Sequence, residues 1–266
     1  TMSAPEPIMP AAERAELGSR MLARATAEMP YRLRLAESSE DLRAAQTLRF
    51  LVFNLELAEG LESSYATLRD EDPFDAICDH LLVEKKDTGE VVGTYRLQTG
   101  RVARKHRGFY SEQEFDFTPF EPVVDQIVEL GRACVHSDHR SLPVIGLLWQ
   151  GISDYAVQNH ARYLVGCSSL TSQDPAVGAA AYHDLARQHL VEPPFQTRPT
   201  PAFACPLDIQ AAEAPKIPKL LRAYLSFGAR ICGPPAIDRE FKTIDFLTWM
   251  DLERLPLMTR RILGRD

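Results

Sequence analysis

Period-two alternation marks the first strand: in YRLRLA, Tyr31, Leu33 and Leu35 stand against Arg32 and Arg34, which predicts one buried face. Before it, past a proline-rich start, residues 11–29 set Leu17, Met21 and Leu22 on one side and Arg14 and Arg20 on the other, predicting a helix. After it, Ser38 and Ser39 with Glu40 and Asp41 supply a cap and first-turn acids for a helix to about residue 56. The next stretch, AEGLESSYATLRDEDPFDAICD, holds no period; it is polar, acidic and too long for a simple connection, which predicts a functional or mobile loop. HLLVEKK and VVGTYRLQ around DTGE predict a β-hairpin, and GRVARKHRG a basic loop. A strand over residues 127–135, a Leu- and Ile-rich helix over 142–160 containing Trp149, and a buried strand in RYLVGCSSL follow. An Asp-Pro pair opens a helix over 174–190. Then VEPPFQTRPTP is extended, PKIPKLLRAYLSFGAR is a helix with a glycine near its end, and TIDFLTWMDL is a last strand. No internal repeat interrupts this order, which is mixed α/β, with antiparallel strands first and a β-α-β unit later.

Composition narrows the function classes. A chain of 266 residues, 45% hydrophobic and 25% charged, is an ordinary globular protein, large enough for one domain with an elaborated end. The expected division is an N-terminal helical extension over residues 1–30 and a main domain over 31–266, elaborated from about 191 onward. A net charge of −7 argues against a nucleic-acid partner and leaves room for a local basic patch. No apolar run reaches the length of a membrane span, and the start lacks the order of a signal peptide, so a cytoplasmic protein beginning naturally at Met2 is expected. Five cysteines (Cys78, Cys134, Cys167, Cys205 and Cys232), odd in number and never in C-x-x-C, read as reduced thiols.

Candidate chemistry begins in VELGRACVHSDHRS, where Glu129 and Arg132 interrupt an apolar strand. A charge taken out of water must be paired, bridged or turned to a wet cavity. An internal ion pair, a wet edge strand and a catalytic pair all meet that requirement. In a regular strand, residues three apart point to opposite faces. A bulge at Gly131 would change that parity; without one, Arg132 bridges to acids of the long loop. Arg49 and Phe53, at i and i+4, share a helix face. His136, Asp138 and His139 match no zinc spacing and lack a third ligand, so no metal is expected.

The element order resembles the Gcn5-related N-acyltransferase (GNAT) fold, a central mixed, mostly antiparallel sheet flanked by helices. RFLVF, DEDPFDAICDHLLV, GEVVGTYRL, FYSEQEFD and VELGRACV occur in the order seen in its acyl-carrier-protein-dependent relatives, the acyl-homoserine-lactone synthases and the hemolysin-like ornithine-lipid N-acyltransferases. The tail LLRAYLSFGARICGPPAIDREFKTIDFLTWMDL, with its D-x-x-F-x-T-x-D-F segment, is more similar to the lipid-forming branch. The resemblance spans residues 31–255. Two departures stand out. HRSLPVIG replaces the Q/R-x-x-G-x-G/A loop that cradles coenzyme A, and NLELAEG follows Phe53 where lactone synthases carry a tryptophan.

The resemblance implies transfer of a 3-hydroxy fatty acyl chain from acyl carrier protein to the α-amine of ornithine, giving lyso-ornithine lipid. No cofactor is implied beyond the carrier's own phosphopantetheine. Glu129 would take the amine's proton, directly or through water, with Arg132 beside it. Arg49 and Phe53 would order the acidic loop, Arg49 pairing with Asp72 or Asp75 and Phe53 walling the acyl or acceptor pocket. Arg96 belongs to the same charge cluster, and His80 is either a base or a structural histidine. Asp70, Glu71, Asp72 and Asp75 would receive the acceptor's side-chain ammonium. Arg101, Arg104, Lys105 and Arg107 offer a basic dock for the acidic carrier protein. The N-terminal helix would rest on a membrane surface or pack on the domain. No cysteine has a catalytic neighbour in sequence, so the amine would attack the thioester directly. Other acceptors (glutamine, glycine), lactone synthesis, and a non-catalytic acyl-binding or membrane-surface protein remain the alternatives.

Overall fold

The computed structural model describes residues 9–265, and the reading of Met2 as the natural start lies outside them. Helix α1 (Ala11–Arg24) leads into β1 (Tyr31–Leu35), α2 (Ser39–Phe50) with a π-helical continuation, Leu51–Glu56, and the single turn α3 (Ser64–Thr67). The hairpin β2 (Asp79–Lys85) and β3 (Val91–Thr99) follows, then α4 (Gly100–Lys105), β4 (Ile127–Val135), α5 (Leu142–Gln158), β5 (Tyr163–Leu170) and α6 (Pro175–His189). The described chain closes with α7 (Lys219–Ser226), β6 (Arg230–Ile231), β7 (Ala236–Asp238), β8 (Thr243–Asp251) and α8 (Leu257–Ile262).

The strands form one mixed sheet in the order β1-β2-β3-β4-β5-β8-β6, with β7 also paired to β8. Among the described residues the pairings are antiparallel except that of β4 with β5. Alternation gives the sheet two unlike faces. Leu33, Leu81, Val83, Leu97 and Val128 face a core completed by Leu147, Leu148 and Ile152 of α5. Helix α5 can approach this closely because residue 151 is glycine: a Cβ there would lie 2.9 Å from both methyls of Leu81. The opposite face carries His80, Arg96, Gln98 and Glu129, which the register places side by side (His80 opposite Arg96, Gln98 opposite Glu129). Helix α2 covers this polar face; its capping box joins Ser38 and Asp41 in both directions, as the sequence predicts.

Several elements differ from expectation. Helix α1 stops at Arg24, and Leu22 is exposed while Leu17 and Met21 are buried against the main core. At 100° per residue, Leu22 turns away from the Leu17–Met21 line. Those two side chains stabilise the fold by about 1.5–3 kcal/mol each, so their stripe faces the domain rather than a bilayer. Arg14 and Arg24 pin the same helix to Asp79 and Asp154. The basic stretch after β3 is helix α4, not a loop: Thr99 caps it, accepting from the Val102 N–H, and Val102 and Ala103 face inward beneath the charges. Strands β6 and β7 and helix α8 are too short to show a period. No helix among the described residues is long and apolar enough to cross a membrane.

Candidate functional site

The site forms where β4 and β5 part. Their pairing runs only from Ile127 opposite Tyr163 to Glu129 opposite Val165. At the parting, Gly166 lies so close to β4 that a Cβ would fall 2.3 Å from the Leu130 carbonyl oxygen. Beyond it, the β5-facing backbone groups of β4 have no strand partner. On its other edge β4 is bulged. Thr94 and Arg96 of β3 stand opposite Cys134 and Gly131, so Tyr95 of β3 is matched by two residues of β4, Arg132 and Ala133. The left-handed residue is Arg132, with φ of 48°, rather than Gly131. This backbone costs about 1–2 kcal/mol for a residue with a side chain. It restores parity, and Arg132 therefore shares the face of Glu129.

Arg49, Arg96 and Arg132 meet the acidic loop there. Arg49 donates from Nε to Asp70 at 2.7 Å and from Nη1 and Nη2 to Asp75 at 2.9 and 3.0 Å. Arg96 donates to Asp72 at 2.6 Å and to Asp75 at 2.9 Å. Arg132 donates to Asp72 at 3.0 Å, and its Nε lies 3.0 Å from Asp70 without bond geometry. Asp72 thus pairs with Arg96 and Arg132, not with Arg49. Burial alone would raise Asp75, but Arg49 and Arg96 outweigh it and hold the carboxyl far below its usual range; Arg96 and Arg132 likewise lower Asp72. Three guanidinium groups answer three carboxylates, and Glu71 pairs with Arg69. None of the four acids expected to receive an acceptor ammonium is therefore free of an arginine.

Glu129 is buried and accepts two backbone bonds, from Tyr110 N–H at 2.8 Å and Ser111 N–H at 2.9 Å. Burial raises its pKa, and these bonds only partly offset the shift. Arg132 stacks over Tyr110 and Phe241, 4.9 and 4.4 Å from the ring centroids. Phe53 stands behind Phe241, ring to ring at 5.4 Å, one aromatic removed from Arg132. His80 is buried, with Nε2 2.9 Å from the Asp75 carbonyl oxygen, and burial pushes it down to about 4. It is neutral at pH 7 and braces the loop.

Across the parting, on β7, β8 and two connecting segments, lies a second acidic group that sequence reasoning missed: Glu59, Glu114, Asp238 and Asp245, all buried. Cys167 reaches it, with its thiol 3.6 Å from Glu114 and 3.4 Å from the Ser111 hydroxyl. Burial and these acids raise the thiol well above its ordinary pKa, which leaves it protonated and a poor nucleophile. The motifs FYSEQEFD and D-x-x-F-x-T-x-D-F contain Tyr110, Ser111, Glu114, Asp238, Phe241 and Asp245, and were the signal available for these residues.

Arg101, Arg104 and Lys105 are exposed on α4, Arg104 facing Asp125 at 3.3 Å; Arg107 lies over Phe74, 5.5 Å from its centroid. Beside α4 a cavity of about 1320 Å³ is floored by Phe109, Phe115 and Phe120, with Arg104 and His106 at its rim. It lies behind the Tyr110–Ser111 turn and includes neither Glu129 nor the arginine network. At the start of α5, where a coenzyme pyrophosphate would need N–H donors, Pro143 offers none. In the HSDH stretch, His136 Nδ1 accepts from Asp138 N–H and His139 Nδ1 bonds Tyr31 Oη at 2.8 Å.

An acetyltransferase (GNAT) domain family model matches residues 48–150. The L-ornithine N(alpha)-acyltransferase of Rhodobacter capsulatus is 32% identical over 259 residues, covering 91% of this chain and 99% of that protein. Its namesake in Brucella abortus is 35% identical over 241 residues, 84% of this chain and 85% of that one. Among solved structures, the AHL synthase LasI superposes with a TM-score of 0.50 at 14% identity, covering 88% of this chain and 94% of its own. That last likeness is one of fold, and with the domain match it bears out the expected GNAT architecture.

Proposed function

The chain belongs to the L-ornithine N(alpha)-acyltransferase family and is an acyltransferase, and we propose that it moves a 3-hydroxy fatty acyl chain from acyl carrier protein to the α-amine of ornithine, forming lyso-ornithine lipid. The observation that carries this reading is Glu129: a buried carboxylate with raised proton affinity, held by two backbone amides beside the parting of β4 and β5.

The ornithine α-ammonium gives up a proton to Glu129, directly or through one water. The neutral nitrogen attacks the thioester carbon, the carbonyl π pair moves to oxygen, and unpaired β4 backbone N–H groups beyond Glu129 are placed to bond the oxyanion. Collapse breaks the C–S bond, and the pantetheine sulfur leaves with a proton. The protonated Cys167 thiol supports direct attack over an acyl-enzyme. The arginine network keeps the acidic loop over this site rather than handling protons itself. Two features favour acyl carrier protein over coenzyme A as donor: Pro143 in the first turn of α5, and the exposed Arg101, Arg104 and Lys105 on α4.

Purified protein given 3-hydroxyacyl carrier protein and labelled ornithine should release carrier thiol and yield lyso-ornithine lipid by mass spectrometry. Equal turnover with acyl-coenzyme A overturns the donor assignment. Preference for glycine or glutamine, or a lactone made from S-adenosylmethionine, overturns the acceptor. Carrier binding with no thiol release from any amino acid would point to a non-catalytic acyl-binding protein.

A further inference from the structure

The second acidic group differs from the first: among the described residues none of its carboxylates forms an ion pair with a lysine, arginine or histidine. Glu59 Oε2 accepts from the Thr171 hydroxyl at 2.7 Å, and Asp245 Oδ1 from the Ser169 hydroxyl at 2.7 Å. Asp238 Oδ1 accepts from the backbone N–H groups of Glu240 and Phe241 at 3.0 and 2.9 Å. Glu114 Oε2 accepts from the Cys167 thiol, its Oε1 is buried with no donor to accept from, and the protonated carboxyl would bond to Asp245 beside it; the residue is 2% exposed. Among the described residues their bonds come from hydroxyls, a thiol and amides. Arg132 is near enough to Glu59 and Asp238 to be felt electrostatically, but the hydrogen bonds it makes go to Asp72 and Tyr110. Burial and Asp245 together raise Glu114 well above its ordinary range. A site built this way gains by taking in positive charge.

The strand register sets this group beside Glu129. Glu129 pairs with Val165, Cys167 with Leu247, Ser169 with Asp245, and Asp238 with Thr243, so Glu129, Asp238 and Asp245 share one sheet face, and Glu114 is joined to it through Cys167. Cys167 stands two residues past Val165, about 6.6 Å along the strand. The α- and δ-nitrogens of an extended ornithine are about 6 Å apart by standard bond lengths. Ligand atoms of Glu114, Cys167 and Asp245 lie within 4.8 Å of one another. One nitrogen about 2.8 Å from each of two carboxylate oxygens bridges such a gap, and an ammonium has three hydrogens to share. Ser169 and Thr171, which hold two of the acids, are themselves exposed.

We propose that Glu114 and Asp245, backed by Glu59 and Asp238, bind the side-chain ammonium of a basic amino-acid acceptor while Glu129 receives its α-amine. This deepens the acceptor assignment made above and rests on it. The arrangement also sets which nitrogen reacts. The side-chain nitrogen is kept charged among carboxylates, with no lone pair to attack, while the α-nitrogen loses its proton at Glu129.

The test compares ornithine with norvaline, the same carbon chain without the side-chain amine, in wild type and in Glu114→Gln and Asp245→Asn. Wild type should favour ornithine about 100-fold or more in kcat/KM, because a site built to bond a polar group rejects an analogue lacking it. Each variant should raise the KM for ornithine about 10- to 100-fold and collapse that preference. Thermal melting gives a readout independent of the donor: ornithine should raise the Tm of wild type, norvaline should not, and the variants should lose the ornithine shift. Removing one of several crowded like charges should leave each variant at least as stable as wild type without ligand. Wild type that acylates neither amino acid refutes the underlying acceptor reading. Wild type that prefers ornithine, with variants keeping the same preference and Tm shift, refutes the residue assignment alone. Stabilisation by magnesium, calcium or zinc that is lost in the variants, with no ornithine shift in wild type, would make this a metal site and overturn the proposal.

Discussion

Glu129→Gln separates chemistry from architecture at the centre of the site. Both oxygens of Glu129 accept backbone N–H bonds, at 2.8 and 2.9 Å. A glutamine amide keeps one acceptor and turns an NH₂ toward the other N–H, so donor meets donor. Leaving that backbone amide unsatisfied costs about 1–3 kcal/mol. Glutamine also escapes the burial penalty that raises Glu129, so the net loss falls at the lower end of that range. At roughly 2–4 °C per kcal/mol for a domain of this size, Tm should drop by only a few degrees. Turnover should fall much further, about a hundred-fold or more, if Glu129 takes the amine's proton. The assay is kcat per folded molecule with saturating 3-hydroxyacyl carrier protein and ornithine, read with a melting curve and across pH. The base form of Glu129 is lost as pH falls through its raised pKa. The wild-type rate should therefore decline on the acid side at a pH above that of an ordinary glutamate, and this limb should vanish in the variant. A lowered Tm with normal turnover per folded molecule would refute the base assignment and leave Glu129 as an anchor for the Tyr110–Ser111 turn.

Three further perturbations test the surroundings. Burial holds His80 near 4, so between that pH and 6.5 the unfolded chain takes up a proton that the folded one refuses; stability is full above 6.5 and declines by up to about 3 kcal/mol as pH falls toward 4. Urea unfolding at pH 7 and 4.5 should show that loss in wild type and much less of it in His80→Gln, and equal loss in both removes His80 as its source. Asp72→Asn takes the charge from between Arg96 and Arg132 and should destabilise by about 3–5 kcal/mol, with an unchanged denaturation midpoint as the contrary result. Reversing Arg104 and Lys105 to glutamate should raise the KM for acyl carrier protein and flatten its salt dependence while leaving saturated kcat nearly unchanged. A double reversal with wild-type KM and salt response counts against docking on α4.

The sheet and its long helices are legible in the sequence because burial imposes its period wherever an element is long enough to repeat it. Tyr31–Leu35 alternates, Ser38 and Asp41 announce the cap of α2, and Asp174-Pro175 opens α6. Helix α4 escapes because only Val102 and Ala103 face inward, too few to show a stripe among five basic residues from Arg101 to Arg107. The shared face of Glu129 and Arg132 escapes for another reason. The bulge is held by an arginine at positive φ where chemistry favours the neighbouring glycine, and what holds it is the pull of Asp72, Tyr110 and Phe241, residues from three distant segments. Loop acids such as Asp70, Asp72 and Asp75 are visible as a run, but which arginine each takes depends on the fold.

Charge balance across the parted strands accounts for the division of labour between the two acidic groups. Arg49 and Arg96 are buried and the Arg132 side chain is only 6% exposed, and an unpaired buried guanidinium would cost several kcal/mol, so each needs a carboxylate close at hand. Asp70, Asp72 and Asp75 meet that need one for one, with six ion-pair contacts of 3.0 Å or less. The network is neutral as a whole and has no charge left with which to bind a substrate. Its consequence is mechanical: it fixes the loop against β3 and β4 and so fixes Arg132 at the bulge. Among the described residues the remaining acids make no ion pair with these arginines, and Glu59 and Asp238 feel Arg132 only at a distance. Glu129 is met by amides, and Glu114 by a thiol and the carboxyl of Asp245, so neither is ion-paired to an arginine. A positively charged acceptor with two amines is therefore drawn to the side of the site where negative charge is uncompensated, and away from the side where it is spent on structure.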